Sequence, residues 1–177
     1  MQKKFVIVNG PPGIGKTSTC RVLQQLLRKS VWLDGDWCWM ANPWIVTEET
    51  KRMAENNMSF LLNSFLNCTE YEFILYSWIF RSDEVFNLIL DKLISTDFKL
   101  YKFTLTCDPD VFLKRLEGER EESKIPMCIE SLYQCESTES EKIDTTHRSV
   151  KEVARTLQLK IIENPYQSRN ISGGYYG

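Results

Sequence analysis

The feature that most constrains this chain is a glycine-rich run, Gly10-Pro-Pro-Gly-Ile-Gly-Lys16-Thr17, set directly after Phe5-Val-Ile-Val. Four apolar residues in a row, two of them β-branched valines beside an isoleucine, predict a strand buried on both faces. Behind the loop, Leu23, Leu26 and Leu27 fall at helical spacing and predict an amphipathic helix over residues 16–29. Strand, glycine loop and helix in that order are the setting in which backbone N–H groups converge on phosphate oxygens and a helix N-terminus adds positive potential. Gly10, Pro11, Pro12, Gly13, Ile14, Gly15, Lys16, Thr17 and Ser18 are therefore the candidate nucleotide-binding stretch. Lys16 is expected to reach the β- and γ-phosphates, and the Thr17 hydroxyl to ligate Mg²⁺. A glycine-rich turn that binds nothing is the plainer alternative, and the flanking strand and helix argue against it.

Beyond the loop, apolar strands alternate with helical patterns. Strands are expected at 30–34, 72–77 and 99–106, and a fifth short strand or a loop entry at 142–146. Helices are expected from Thr47, over 83–95, from the Asp108-Pro109 start, briefly after Pro126, and from the Ser149-x-x-Glu152 capping box. Alternation of this kind means parallel strands joined by crossovers, a three-layer α/β fold. With 177 residues and no repeat or linker, one domain over 1–167 is expected, followed by a Gly/Tyr-rich tail at 168–177.

Composition narrows the partners. Hydrophobic residues make up 42% and the net charge is −2, so no global basic field draws nucleic acid or an anionic membrane surface. No apolar run is long enough to span a bilayer, and Met1-Gln-Lys-Lys leads straight into the first strand, so a cytoplasmic protein, monomer or homodimer, is expected. The six cysteines are scattered and His147 stands alone, which excludes a recognisable zinc spacing.

The second strand ends in Asp34-Gly35-Asp36. Open α/β sheets bind ligands at the carboxyl ends of their strands, so both carboxylates can share the crevice with the glycine loop. One can serve a hydrated Mg²⁺ while the other accepts a hydroxyl proton; a polar turn is the alternative. Trp37, Trp39 and Trp44 follow within eight residues, either as walls of a pocket or as packing between helices.

GPPGIGKT followed by a strand ending in Asp-x-Asp resembles the small P-loop kinases, among them shikimate, gluconate, adenylylsulfate and nucleoside monophosphate kinases and chloramphenicol phosphotransferase. The segment from Val31 to Trp39, with Asn42-Pro43 and Val46-Thr-Glu-Glu, more closely resembles uncharacterised bacterial P-loop proteins described as AAA-family ATPases or nucleotide kinases. The resemblance runs from the first strand to about Leu157. It implies a five-stranded parallel sheet in order 2-3-1-4-5, ATP and Mg²⁺, an acceptor-binding region near 37–68 and a lid near 116–127. It also implies roles: Asp34 for the metal, Asp36 for the acceptor hydroxyl, and Arg115 over the adenine opposite Asp144-Thr145-Thr146. Lid arginines of such kinases clamp the transferring phosphoryl group, which points to Arg120, although Glu117, Glu119, Glu121 and Glu122 offer it partners on a solvated helix instead. Trp37, Trp39 and Arg81 are further acceptor candidates, Arg81 for an anionic group. Ser77 at the end of the third strand reads as a packed strand end or as a contact to a metal-bound water. The reading is an ATP-dependent phosphotransferase acting on a small molecule. A non-enzymatic nucleotide switch or adaptor, or a simple ATPase, is the alternative.

Overall fold

A computed structural model describes residues 2–163; the expected tail at 168–177 lies outside the described residues. The elements run β1 (Lys3–Asn9), α1 (Lys16–Leu26), β2 (Ser30–Asp34), α2 (Glu48–Asn67), β3 (Phe73–Ser77), α3 (Asp83–Leu90), β4 (Phe98–Thr106), α4 (Pro109–Leu116), α5 (Ile125–Glu136), β5 (Glu141–Asp144) and α6 (Val150–Glu163). Single 3₁₀ turns cover Gly35–Trp39 and Glu122–Lys124. All five strands are parallel, in the order β2-β3-β1-β4-β5.

Alternating side chains of these strands feed two apolar layers. Val6, Val8, Trp32, Leu75, Phe103 and Leu105 meet α1, α4, α5 and α6 on one face. Phe5, Ile7, Leu33, Ile74 and Tyr76 meet α2 and α3 on the other. Each fully buried leucine or phenylalanine of such layers contributes roughly 1.5–3 kcal/mol relative to exposure. Helices on both faces leave the ends of the strands open, and the register decides what gathers there. Val8 and Asp34 both pair with Ser77, Asn9 pairs with Thr104, and Thr106 pairs with Asp144. Asn9, Asp34, Ser77, Thr106 and Asp144 thus come to one edge of the sheet.

Several element ends differ from the sequence pattern, each for a visible reason. The first helix stops at Leu26, not Lys29, because Lys29 turns left-handed (φ 57°) and offers its carbonyl to the N–H groups of Glu72 and Phe73. The third helix stops at Leu90, not Ser95. Asn63 of α2 captures the following turn, donating to the Lys92 carbonyl (2.9 Å) and accepting from the Ile94 N–H (2.8 Å). The helix after the lid is longer than expected, twelve residues with Pro126 in its first turn, where a missing N–H costs nothing. At α6 the capping box forms as read, with Ser149 and Glu152 exchanging hydrogen bonds, while Val150 stays partly exposed at the helix start. No described helix is long and apolar enough to cross a membrane.

Candidate active site

The loop after β1 is fixed from beneath by Asn9, whose side chain is wholly buried. Its carbonyl accepts from the N–H groups of Gly10 (2.7 Å) and Phe80 (2.8 Å), and its amide donates to the Phe80 carbonyl and the Thr104 hydroxyl, both at 3.0 Å. One side chain thus joins β1, the segment after β3, and β4 under the glycine loop. Nothing local in the sequence singles out Asn9, because its partners other than Gly10 lie more than 70 positions away.

Above it the loop curls over the start of α1. Gly13 has φ +90°, and a Cβ there would stand 2.6 Å from the Leu116 side chain, so only glycine lets α4 close against the loop. At the helix start no side chain caps Gly15 and no acid stands in the first turn, which leaves N–H groups aimed at the mouth of the site. The Lys16 ammonium donates to the carbonyls of Gly10 (2.8 Å) and Pro11 (2.9 Å). Burial holds its pKa below the ordinary lysine value, opposed by Cys135, Asp36 and Asp34.

Thr17 follows in the first turn of α1. Its hydroxyl donates to a carboxylate oxygen of the buried Asp34 at 2.9 Å, joining α1 to the end of β2. The other Asp34 oxygen accepts from the N–H of Asp36 (3.2 Å), which fixes the 3₁₀ turn. Asp36 follows at the rim. Burial and the neighbouring Asp34 charge raise its pKa, while Lys16, a hydrogen bond from Trp78 and Arg120 oppose the rise. Trp78 lies flat against the turn: a Cβ on Gly35 would stand 2.5 Å from its indole ring, so position 35 is glycine for want of room.

The oxygen pair of Thr17 and Asp34 suits Mg²⁺. That ion takes one or two protein oxygens and completes its octahedron with phosphate oxygens and water. Among the described residues no group of three or more His, Cys, Asp or Glu gathers that could hold a metal ion.

Ser77 is fully buried and accepts from the Trp32 indole at 3.0 Å, so it serves as a packed strand end. Cys20 on α1 bonds the same hydroxyl, and burial pushes its thiol up to about 12, leaving it inert. Arg115 is tied to the β5–α6 connection. It donates to the Thr145 hydroxyl (3.2 Å) and carbonyl (2.7 Å) and to the Thr146 carbonyl. Thr145 in turn is anchored twice to the Thr106 carbonyl. Of the lid cations, Lys124 pairs with Glu121 at 2.9 Å. Arg120 makes no ion pair within 4.0 Å among the described residues; it reaches back toward Gly13, and its charge is felt at Asp36.

The tryptophans divide. Trp32 is core, Trp37 is half-exposed and packs on it with ring centroids 4.8 Å apart. Trp39 is half-buried against the α2 layer and Trp44 is exposed over it at 4.7 Å. Arg81 is exposed just past β3, and its charge partly offsets the burial that raises the pKa of the Cys135 thiol beside Gly10.

A glycine loop on α1, a lysine within it, and a hydroxyl–carboxylate pair at the end of the neighbouring strand define the P-loop class of nucleotide-binding proteins. Residues 6–144 match the AAA domain family, and the chain belongs to that family. No curated protein sequence matches it. Solved structures share its fold. The tunicamycin resistance protein of Deinococcus radiodurans superposes with a TM-score of 0.69 at 18% identity, covering 90% of this chain and 96% of that one. A gluconokinase from Sinorhizobium meliloti 1021 gives 0.62 at 16% identity, covering 86% and 87%. Shikimate kinase from Acinetobacter baumannii, solved with shikimate, gives 0.60 at 18% identity, covering 93% and 96%.

Proposed function

We propose that the protein is a small P-loop kinase that moves the γ-phosphoryl group of ATP to a hydroxyl of a small molecule. One observation carries the reading: the Thr17 hydroxyl and the Asp34 carboxylate meet at 2.9 Å, and Asp36 stands two residues further on at the open edge of the same site. A hydrolysing switch needs one carboxylate for its metal; a second at the rim is what an acceptor hydroxyl requires. The shared fold with solved gluconate and shikimate kinases supports the assignment.

In this reading residues 10–18 cradle the phosphates, with Lys16 turning from the loop carbonyls to the β- and γ-oxygens. Thr17 and Asp34 would hold Mg²⁺, which when bound would neutralise phosphate charge. Arg115 and Thr145 flank the adenine. Asp36 orients the acceptor hydroxyl and takes its proton as the acceptor oxygen bonds to the γ-phosphorus and the β–γ bridging oxygen leaves with ADP. Arg120, from the lid at 116–127, meets the charge that gathers on the transferring group. The region 37–68 receives the acceptor, with Trp37 and Trp39 at its wall.

The test is ADP release with ATP and Mg²⁺ across a panel of hydroxyl compounds. Stimulation by one acceptor, with label from the γ-phosphate recovered on it, is the expected result. A second reading, a nucleotide-dependent docking protein, draws on the exposed side chains around Trp37 and Trp44. Slow turnover that no acceptor stimulates would favour it.

A further inference from the structure

Between Asp36 and the start of α2 the chain presents an unusual surface. Trp37, Met40, Trp44, Ile45 and Val46 are all more than half exposed, from Ile45 at 51% to Met40 at 80%. Five large apolar side chains within ten residues form the kind of patch that soluble proteins keep for a ligand or partner. The patch is not slack. Trp37 rests on the core residue Trp32, Trp44 rests on Trp39, and Asn57 of α2 donates to the Cys38 carbonyl at 3.2 Å, pinning the turn between them.

Its charge is as distinctive as its apolarity. From Ser30 to Thr50 there is no lysine, arginine or histidine, while Asp34, Asp36, Glu48 and Glu49 all lie in that span. The first cations beyond it are already engaged at the start of α2. Lys51 pairs with Glu48 at 2.8 Å, and Arg52 donates to the Glu48 carbonyl at 3.3 Å. The cations that act on Asp36 from outside the segment, Lys16 and Arg120, belong to the phosphate loop and the lid. An acceptor lying along this wall with its hydroxyl at Asp36 meets indole faces, aliphatic side chains and negative charge. A carboxylate or phosphate placed there would face the rim acids, and the segment itself offers it no counter-ion.

We infer that the acceptor is an alcohol with an aromatic or aliphatic flank and no anionic group, bound across Trp37 and Trp44 with its hydroxyl at Asp36. The inference rests on the kinase reading for the role of Asp36, but the preference for uncharged over anionic ligands is a binding property and is measured without turnover.

The experiment uses the whole chain with Mg²⁺ and a non-hydrolysable ATP analogue. Thermal shift and tryptophan fluorescence are read against a library of hydroxyl compounds built as matched pairs that differ by one anionic group. Phenyl glucoside with phenyl glucuronide, and adenosine with AMP, are two such pairs. Hits are expected among the uncharged members, each binding at least about tenfold more tightly than its anionic partner. Met40→Arg, at a side chain open to solvent, is expected to narrow that gap while leaving the shift caused by the ATP analogue unchanged. A library whose hits are anionic, or in which no uncharged member binds, overturns the inference. So does Met40→Arg that leaves the gap as it was. Turnover separates the two claims. Anionic acceptors that are phosphorylated sink this inference and keep the kinase; uncharged ligands that bind and are never phosphorylated keep the binding preference and sink the kinase.

Discussion

Asp36 sits between opposing influences, and two measurable consequences follow. Burial and the Asp34 charge raise its pKa, so its basicity should be lost as pH falls through a value above the ordinary aspartate range. The acid limb of kcat/KM should report that raised value, and Asp36→Asn should lower acceptor phosphorylation by about 10²–10⁴-fold while ATP binding persists. The second consequence concerns stability of the ligand-free protein. A raised folded pKa means the folded state holds the proton more tightly than the unfolded chain. Its contribution is whole below the ordinary aspartate range and is lost as pH rises through the folded value. Asp36→Asn should therefore raise Tm at neutral pH, with the gain vanishing in acid; an unchanged or lower Tm at neutral pH would show that the carboxylate is not strained there. Asn9 is the opposite case, a residue whose every polar atom is used. Asn9→Ala leaves the Gly10 and Phe80 groups without partners out of water and should cost on the order of 3 kcal/mol in denaturant unfolding. The letters Asp-Gly-Asp were enough to point to the rim, because a strand end before a turn is a local pattern. Asn9 and Trp78 were not legible, because each acts on a residue far off in the chain.

At the scale of elements, α4 and the segment after it carry two arginines with different attachments. Arg115 is bound to the Thr145–Thr146 backbone, bridging α4 to the β5–α6 connection. Arg120 hangs from a turn whose N–H groups at positions 119 and 120 share the Leu116 carbonyl, and it leans toward Gly13. Steady-state kinetics should separate them. Arg115→Ala should raise the KM for ATP with kcat little changed, whereas Arg120→Ala should lower kcat by about 10²–10³-fold with KM little changed. If Arg120→Ala left kcat intact, the lid would be a charged surface and no more. The sequence left Arg120 between the phosphate site and four neighbouring glutamates. In the structure Glu121 pairs with Lys124, and the Arg120 side chain approaches Gly13. Helix ends were harder to read. Lys29 and Asn63 stop two helices through bonds to other elements, and no window of local sequence contains those partners.

For the molecule as a whole, the alternation of apolar strands and helices was sufficient to give a parallel sheet covered on both faces, whereas the order 2-3-1-4-5 was legible only through the resemblance to small P-loop kinases. Each strand's hydrophobic run must be covered on both sides, and crossovers are right-handed. That arrangement makes stability and ligand binding one quantity. The loop, α1 and the ends of β1, β2 and β4 are joined through Asn9, Thr17 and Asp34, so a nucleotide held there should raise the Tm of the entire chain in a single transition. At a ligand concentration 100 times its Kd the gain is about 2.7 kcal/mol. Lys16→Ala should abolish the shift produced by ATP with Mg²⁺ while leaving the ligand-free Tm close to wild type. A full shift in Lys16→Ala would overturn the P-loop assignment.

Gly35 has a further implication. It is kept small by the indole of Trp78 and not by its own backbone, and an obstacle made of side chain can be removed by evolution as easily as by mutagenesis. Gly35→Ala alone should unsettle the turn that carries Asp36, and a smaller residue at position 78 should restore room for it. The restored pair would have lost the indole that bonds Asp36. Positions 35 and 78 should therefore vary together among descendants of this chain. Lineages that exchange both would inherit an intact phosphate loop beside a re-aimed carboxylate, a route by which one ancestral site can diverge toward new alcohols.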